Sequence, residues 1–344
     1  MWLFFLISLA ISLVVTALVR YIALRLKIVD TPDGSRKRHT VSVPLLGGVA
    51  LFVSFWLVML YLLGWHPIYG LDRISNSLVA AFIGSLILVL IGIFDEMKPF
   101  SATLRLALTL LVIFIVAGWI GGYLSKITNP FGGVFELGLS VGTILTFVWL
   151  AGMTYTTKIL DGLDGLATGV VIIGSLMIYF LTSTAKFYQP NVGLVALIFA
   201  GTCLGFLVFN FHPAKIFLGE SGSLFVGFML GILAVIGGGK LATALLVMAV
   251  PILDLARVMY VRLKRGQPIM TGDREHLHFK LLDRGWSERG TVLLYYCIAT
   301  AFGATTLFLQ SYQKLIALGL LVVAMIAIGW RIAKSPLEGG SRGV

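Results

Sequence analysis

The chain has 344 residues, of which 58% are hydrophobic and only 12% charged, and its formal net charge is +11. About a quarter of an ordinary soluble domain is charged, so this composition, with a mean hydropathy of +0.99, excludes a water-soluble globule. In a membrane protein the positive balance reports loop bias and contact with anionic headgroups, so membrane lipid is an expected partner and nucleic acid is not.

Apolar runs place the predicted elements. In chain order, the runs long enough for a helix to cross lipid give spans near 2–24, 45–63, 77–94, 102–122, 140–156, 167–184, 191–209, 221–238, 241–259, 291–310 and 314–331, about eleven in all. The expected fold class is therefore all-α, a polytopic transmembrane helix bundle forming a single integral membrane domain over 1–344. The first run, "WLFFLISLAISLVVTALV", has no basic residues before it and no small-residue cleavage pattern, so it reads as a retained span. Cys203 and Cys297 both lie in apolar runs and make neither a disulfide framework nor a zinc site.

Lysine and arginine set the orientation. One set of connections carries Arg25, Lys27, Arg36, Lys37, Arg38, Lys98, Arg105, Lys158, Lys215, the cluster from Arg257 to Arg289, Arg331, Lys334 and Arg342; the other carries Arg73, Lys126, Lys186, Lys240 and Lys314. A bias of about twenty to five puts the amino terminus outside and the carboxyl terminus in the cytosol. The connections 25–44, 95–101, 157–166, 210–220 and 260–290 then share the cytosolic side, and they hold every polar motif of interest.

Asp95 and Glu96 end the third span. They read either as a solvated helix end beside Lys98 or as a functional pair of boundary acids. In "KILDGLDGLATG", Asp161 and Asp164 are three apart, on one face if helical, and Gly162 and Gly165 let a backbone or a phosphate approach closely. Two such carboxylates with only Lys158 nearby suit a divalent cation or a ribose, with a polar hinge as the bland alternative. "FNFHPAKIFLGESGS" closes one span with Asn210 and opens the next with Glu220 and small residues. That pattern suits phosphate with Mg²⁺, or ordinary capping by Ser221 or Ser223. In "DREHLHF", His276 and His278 follow Asp273 and Arg274; lacking further Cys or His at ligand spacing, they suit hydrogen bonds to a pyrophosphate better than a zinc site. The run Arg36, Lys37, Arg38, His39 reads as a topology signal or a substrate-phosphate contact. Asp254 in the ninth span has Arg257 one turn on as a partner.

Six motifs in order, "RKRHTVSVPLLGG", "GIFDEMKPFS", "DGLDGLATG", "NFHPAKIFLGESGS", "PILD" and "DREHLHFKLLDRGW", resemble those of the polyprenyl-phosphate N-acetylhexosamine-1-phosphate transferase family over nearly the whole chain. The histidine loop resembles the N-acetylglucosamine-type branch of that family. The resemblance implies transfer of a sugar-1-phosphate, N-acetylglucosamine-1-phosphate favoured, from a UDP-sugar to undecaprenyl or another polyprenyl phosphate. On the same resemblance UMP would be released, Mg²⁺ or Mn²⁺ used, and a cell-envelope glycan started at the prokaryotic cytoplasmic membrane. It further implies catalytic roles for Asp95, Glu96, Asp161, Asp164, His276 and His278, with Glu220, Asp95 and Glu96 at the metal. Substrate contacts fall to Lys158, Asn210, Phe217 stacked on uracil, Lys37, Arg38 and Arg274, and a homodimer is the implied assembly. The chain departs from the family pattern at Glu96 and Glu220, where the family has Asp, at Tyr155 and Lys158, where it has Asn, and at Phe279, where it has a third His. A phospho-N-acetylmuramoyl-pentapeptide transferase and a membrane transporter are the alternatives. A transporter predicts polar groups near the bilayer midplane and internal repeats, whereas these clusters sit at span ends.

Overall fold

The computed structural model describes residues 1–31, 42–65, 71–124, 126–129, 133–238, 240–267, 275–309 and 311–334. Within them the chain is a helical bundle. In order come α1 (Trp2–Arg25), α2 (Gly47–Trp65), α3 (Ser75–Met97), α4 (Ala102–Ile120), α5 (Gly138–Leu160), α6 (Leu166–Ser183) and α7 (Pro190–Asn210). Then follow α8 (Gly219–Ile236), α9 (Leu241–Val247), α10 (Ala249–Lys264), α11 (Leu277–Asp283), α12 (Glu288–Phe308) and α13 (Ser311–Lys334). Two short antiparallel hairpins depart from the all-α expectation: β1 (Val29–Asp30) pairs with β2 (Val43–Pro44), and β3 (Lys126–Thr128) with β4 (Val134–Glu136).

Nine helices among the described residues are long and apolar enough to cross a membrane, or ten if α9 and α10 count as one span bent by 73°. The unbroken ninth span expected from hydropathy is thus two helices. Pro251 explains the break, because its ring would meet the carbonyl four residues back, and that residue, Val247, is where α9 ends. In the first turn of α10 the missing N–H costs no helical hydrogen bond. The stretch expected as the eleventh span, 314–331, lies within the 24-residue helix α13.

α8 is the axis of the bundle. Every residue from Ser221 to Ile236 is buried, against α2, α3, α5 and α6. The outer helices turn large apolar side chains outward, Leu6 and Val14 on α1, Phe114 and Ile115 on α4, Ile144 and Val148 on α5. Lipid is as apolar as leucine, so helix contacts in a membrane rest on close backbone approach by small residues. That happens at one point above all: a Cβ on Gly48 of α2 would strike the Ser221 and Gly222 backbone of α8, and one on Gly92 of α3 would strike Ser221 Cα.

Candidate active site

The ends of α3 and α5 and the starts of α4 and α8 meet in a chain of alternating charge. Asp95 is buried in the last turn of α3; its Oδ1 accepts from the Phe100 N–H at 2.8 Å and its Oδ2 from Arg105 Nη1 of α4 at 2.7 Å. The same guanidinium lies 3.5 Å through Nε from Glu220 Oε1, which also accepts from Lys158 Nζ at 2.5 Å. Helix ends favour this arrangement: Glu220 stands in the first turn of α8, near its positive pole, and Lys158 in the last turn of α5, near its negative one. The acid expected to hold metal and the lysine expected to touch substrate are therefore partners of one another. Arg105, which sequence reasoning counted only toward topology, joins both acids. No local pattern marks it, since its partners come from other helices.

Glu96 turns the other way. Its Oε1 accepts from the backbone N–H and hydroxyl of Ser221, at 2.9 and 2.8 Å, and its Oε2 from the Leu46 N–H at 3.2 Å. Leu218, at the N-cap of α8, offers no capping side chain, so Glu96 supplies from another helix the acceptor that a first-turn amide without an intrahelical partner requires. Expected beside Asp95 as a metal ligand, Glu96 has both oxygens committed to this clamp.

The "DGLDG" segment is a turn between two helices, correcting the expectation of two acids on one helical face. α5 ends at Leu160, Asp161 is its C-cap, and Gly165 at φ +79° starts α6 from the left-handed region that glycine occupies without strain. The two carboxylates consequently part company. Asp164 Oδ2 accepts from the Ala214 N–H at 2.9 Å and lies 3.0 Å from His212 Nδ1, while the Asp164 N–H donates to Glu288 Oε1 at 3.2 Å. Asp164, His212 and Glu288 each present a ligand atom within 4.8 Å of the others, a set able to hold a cation. His212 and Glu288 escaped sequence reasoning because they join Asp164 only through the fold.

Asp161 is half-buried, and among the described residues no hydrogen bond or ion pair reaches its side chain. Burial, followed by the neighbouring carboxylates of Glu220, Asp164 and Glu96, pushes its carboxyl well above the usual range. Every other described acid at this end of the bundle has a partner.

The histidine loop is anchored from α10. Asp254 Oδ1 accepts from Arg257 Nε and Nη2, at 3.1 and 2.7 Å, so the pair expected one turn apart forms. Asp254 Oδ2 lies 3.0 Å from His276 Nδ1 and accepts from the Leu277 N–H at 3.0 Å. This fixes the His276 ring with its Nε2 edge turned away from the anchor. His278 stacks on His276 with centroids 5.7 Å apart, and its Nε2 is buried against Gly162 of the "DGLDG" turn with no hydrogen-bond partner among the described residues. Burial, then His276, holds His278 down to about 3, so the ring is neutral. Asn210 is buried as a brace, its Oδ1 accepting from Thr168 and its Nδ2 donating to the Ile216 carbonyl. Phe217 is half-buried, and its N–H donates to the Pro44 carbonyl at 2.9 Å. Lys37, Arg38 and Arg274 lie outside the described residues.

Residues 78–238 match the family described as glycosyl transferase family 4. The chain is 33% identical to a probable undecaprenyl-phosphate N-acetylglucosaminyl 1-phosphate transferase of Bacillus subtilis (strain 168), over 94% of this chain and 88% of that one. It is 31% identical to a decaprenyl-phosphate N-acetylglucosaminephosphotransferase of Mycobacterium leprae, covering 91% and 85%. It is 27% identical to an undecaprenyl-phosphate alpha-N-acetylglucosaminyl 1-phosphate transferase of Escherichia coli O157:H7, covering 92% and 86%. Similarity that spans both chains almost end to end means that this protein belongs to glycosyl transferase family 4, the family of the polyprenyl-phosphate N-acetylhexosamine-1-phosphate transferases.

Proposed function

We propose that the protein transfers N-acetylglucosamine-1-phosphate from UDP-N-acetylglucosamine to a polyprenyl phosphate, releasing UMP, at the cytosolic face of a prokaryotic cytoplasmic membrane. The relatives' names supply the reaction class. The observation that carries the site is Asp161, a half-buried carboxylate with no partner among the described residues and three other acids around it. An acid so placed fits a divalent cation, with hard oxygen ligands of the kind Mg²⁺ and Mn²⁺ select, and Asp161 with Glu220 would hold it. Such a cation supplies neutralising charge to pyrophosphate oxygens.

The chain's own residues account for the rest. An oxygen of the lipid phosphate bonds to the β-phosphorus of the UDP-sugar, and the bond from that phosphorus to the bridging oxygen breaks, leaving its electron pair on UMP. The lipid phosphate is already ionised at neutral pH, so Asp95 need not remove a proton; held by Arg105 and the Phe100 N–H, it serves to position. Arg105 and Lys158 share Glu220 and are cations of the described residues that incoming phosphates can meet. Asp254 fixes His276 at the same end, where its free edge can meet the pyrophosphate. A transporter gains nothing from this arrangement, since the acids gather at helix ends.

The test is UMP release by purified, detergent-solubilised protein from a panel of UDP-sugars with undecaprenyl phosphate and Mg²⁺. UMP from UDP-N-acetylglucosamine, abolished by EDTA or by omitting lipid, is the expected result. No UMP from any donor would overturn the reading.

A further inference from the structure

The end of the bundle away from the carboxylates holds a second charged cluster, of one sign only. α6, α8 and α12 all start at the acid-rich end, at Leu166, Gly219 and Glu288, and the connections that follow them lie at the other. Lys186 follows α6, Lys240 follows α8, and Lys314 follows α12 in the first turn of α13. These are three of the five cations that the loop bias assigned to the outer side. The fold brings all three to one aromatic ring: their Nζ atoms lie 5.4, 4.4 and 5.7 Å from the Phe187 centroid, for Lys186, Lys240 and Lys314 respectively.

Lys240 and Lys314 are only 8% and 9% exposed, and no hydrogen bond or ion pair to an acid reaches any of the three among the described residues. Burial, with Lys314 close by, lowers Lys240 to about 8. One ring offers only a weak quadrupole to three cations. It does not offset the desolvation and mutual repulsion of two buried ammonium groups, which proteins meet by pairing such charges. The missing element is an anion. It must accept from several ammonium donors at once and sit at the boundary of the apolar bundle, and a phosphate group, with several charged oxygens, has that chemistry.

We propose that Lys186, Lys240 and Lys314 form an anion site at the end of the bundle opposite the carboxylates, taking a phosphate group either free or on a lipid headgroup. The test uses the full chain in a neutral detergent and follows its melting temperature. Inorganic phosphate is titrated against chloride at equal ionic strength; in parallel, the protein is placed in phosphatidylcholine vesicles with and without phosphatidylglycerol. A saturable rise with inorganic phosphate alone identifies a free anion. A rise with phosphatidylglycerol that abolishes the phosphate response identifies a lipid headgroup. In either case the double variant Lys240→Gln/Lys314→Gln should lose at least about tenfold in apparent affinity, while UMP release is unchanged. If the double variant does not fold, Lys186→Gln, at an exposed position, should weaken the response in the same direction. No saturable response in the native protein, or an equal response in the variants, would overturn the proposal.

Discussion

A carboxylate that no described residue partners is costly where Asp161 sits, because three other acids crowd it and burial denies it full hydration. Such a group is kept for what it binds, so Asp161→Asn separates the roles. Removing one of several like charges should leave the melting temperature in EDTA unchanged or higher, while UMP release falls about 100-fold or more. A lower melting temperature with turnover intact would make Asp161 a structural residue instead. The sequence displayed Asp161 and Asp164 as an equivalent pair, since spacing was all it had to offer. Their division of labour follows from Gly165 at φ +79°, which turns the chain between them and hands Asp164 to His212 and Ala214. Glycine is visible in a sequence, but whether it lies in a helix or ends one depends on what the flanking helices pack against.

At the level of elements, α2, α3 and α8 converge where Gly48 and Gly92 leave no room beyond the Ser221 backbone, and Glu96 ties the same point by capping α8. Hydropathy marked all three helices, because apolar runs of that length have few other uses. It could not mark their contact, in which the clamp joins residues 125 positions apart. Nor could it separate the duties of adjacent Asp95 and Glu96, which project toward α4 and α8 respectively. Backbone cannot retreat as a side chain can, so Gly92→Ala should destabilise the protein by about 1–3 kcal/mol. Gly118→Ala, on a face of α4 where an added Cβ meets nothing within 4 Å, should leave stability close to native. Thermal unfolding of the two variants in one detergent checks this. Equal melting temperatures would mean that the three-helix contact is looser than the Gly48 and Gly92 positions require.

Over the whole molecule the charges cluster by sign: most of the described carboxylates gather at one end, and at the other three lysines share a ring with no acid reaching them among the described residues. The loop bias legible in the sequence separates the two ends, yet reads the lysines as minor exceptions to a topology rule, since nothing local shows that they meet. The folded protein holds Lys240 at about 8, below the ordinary lysine value near 10.4, through burial and Lys314, with Lys186 the other charge at the ring. Between those two values the unfolded chain keeps a proton that the folded protein has released. Stability therefore rises with pH across this window, by at most about 1.4 kcal/mol per pH unit from this one group. Below about 8 the lysine is charged in both states and the slope from it vanishes. Melting curves in chloride from pH 8 to 10, native against Lys240→Gln, should show the native protein gaining relative to the variant as pH rises. Saturating phosphate, by holding the proton on Lys240, should flatten that gain. A relative gain that persists unchanged in phosphate would separate the titration of Lys240 from any anion bound beside it.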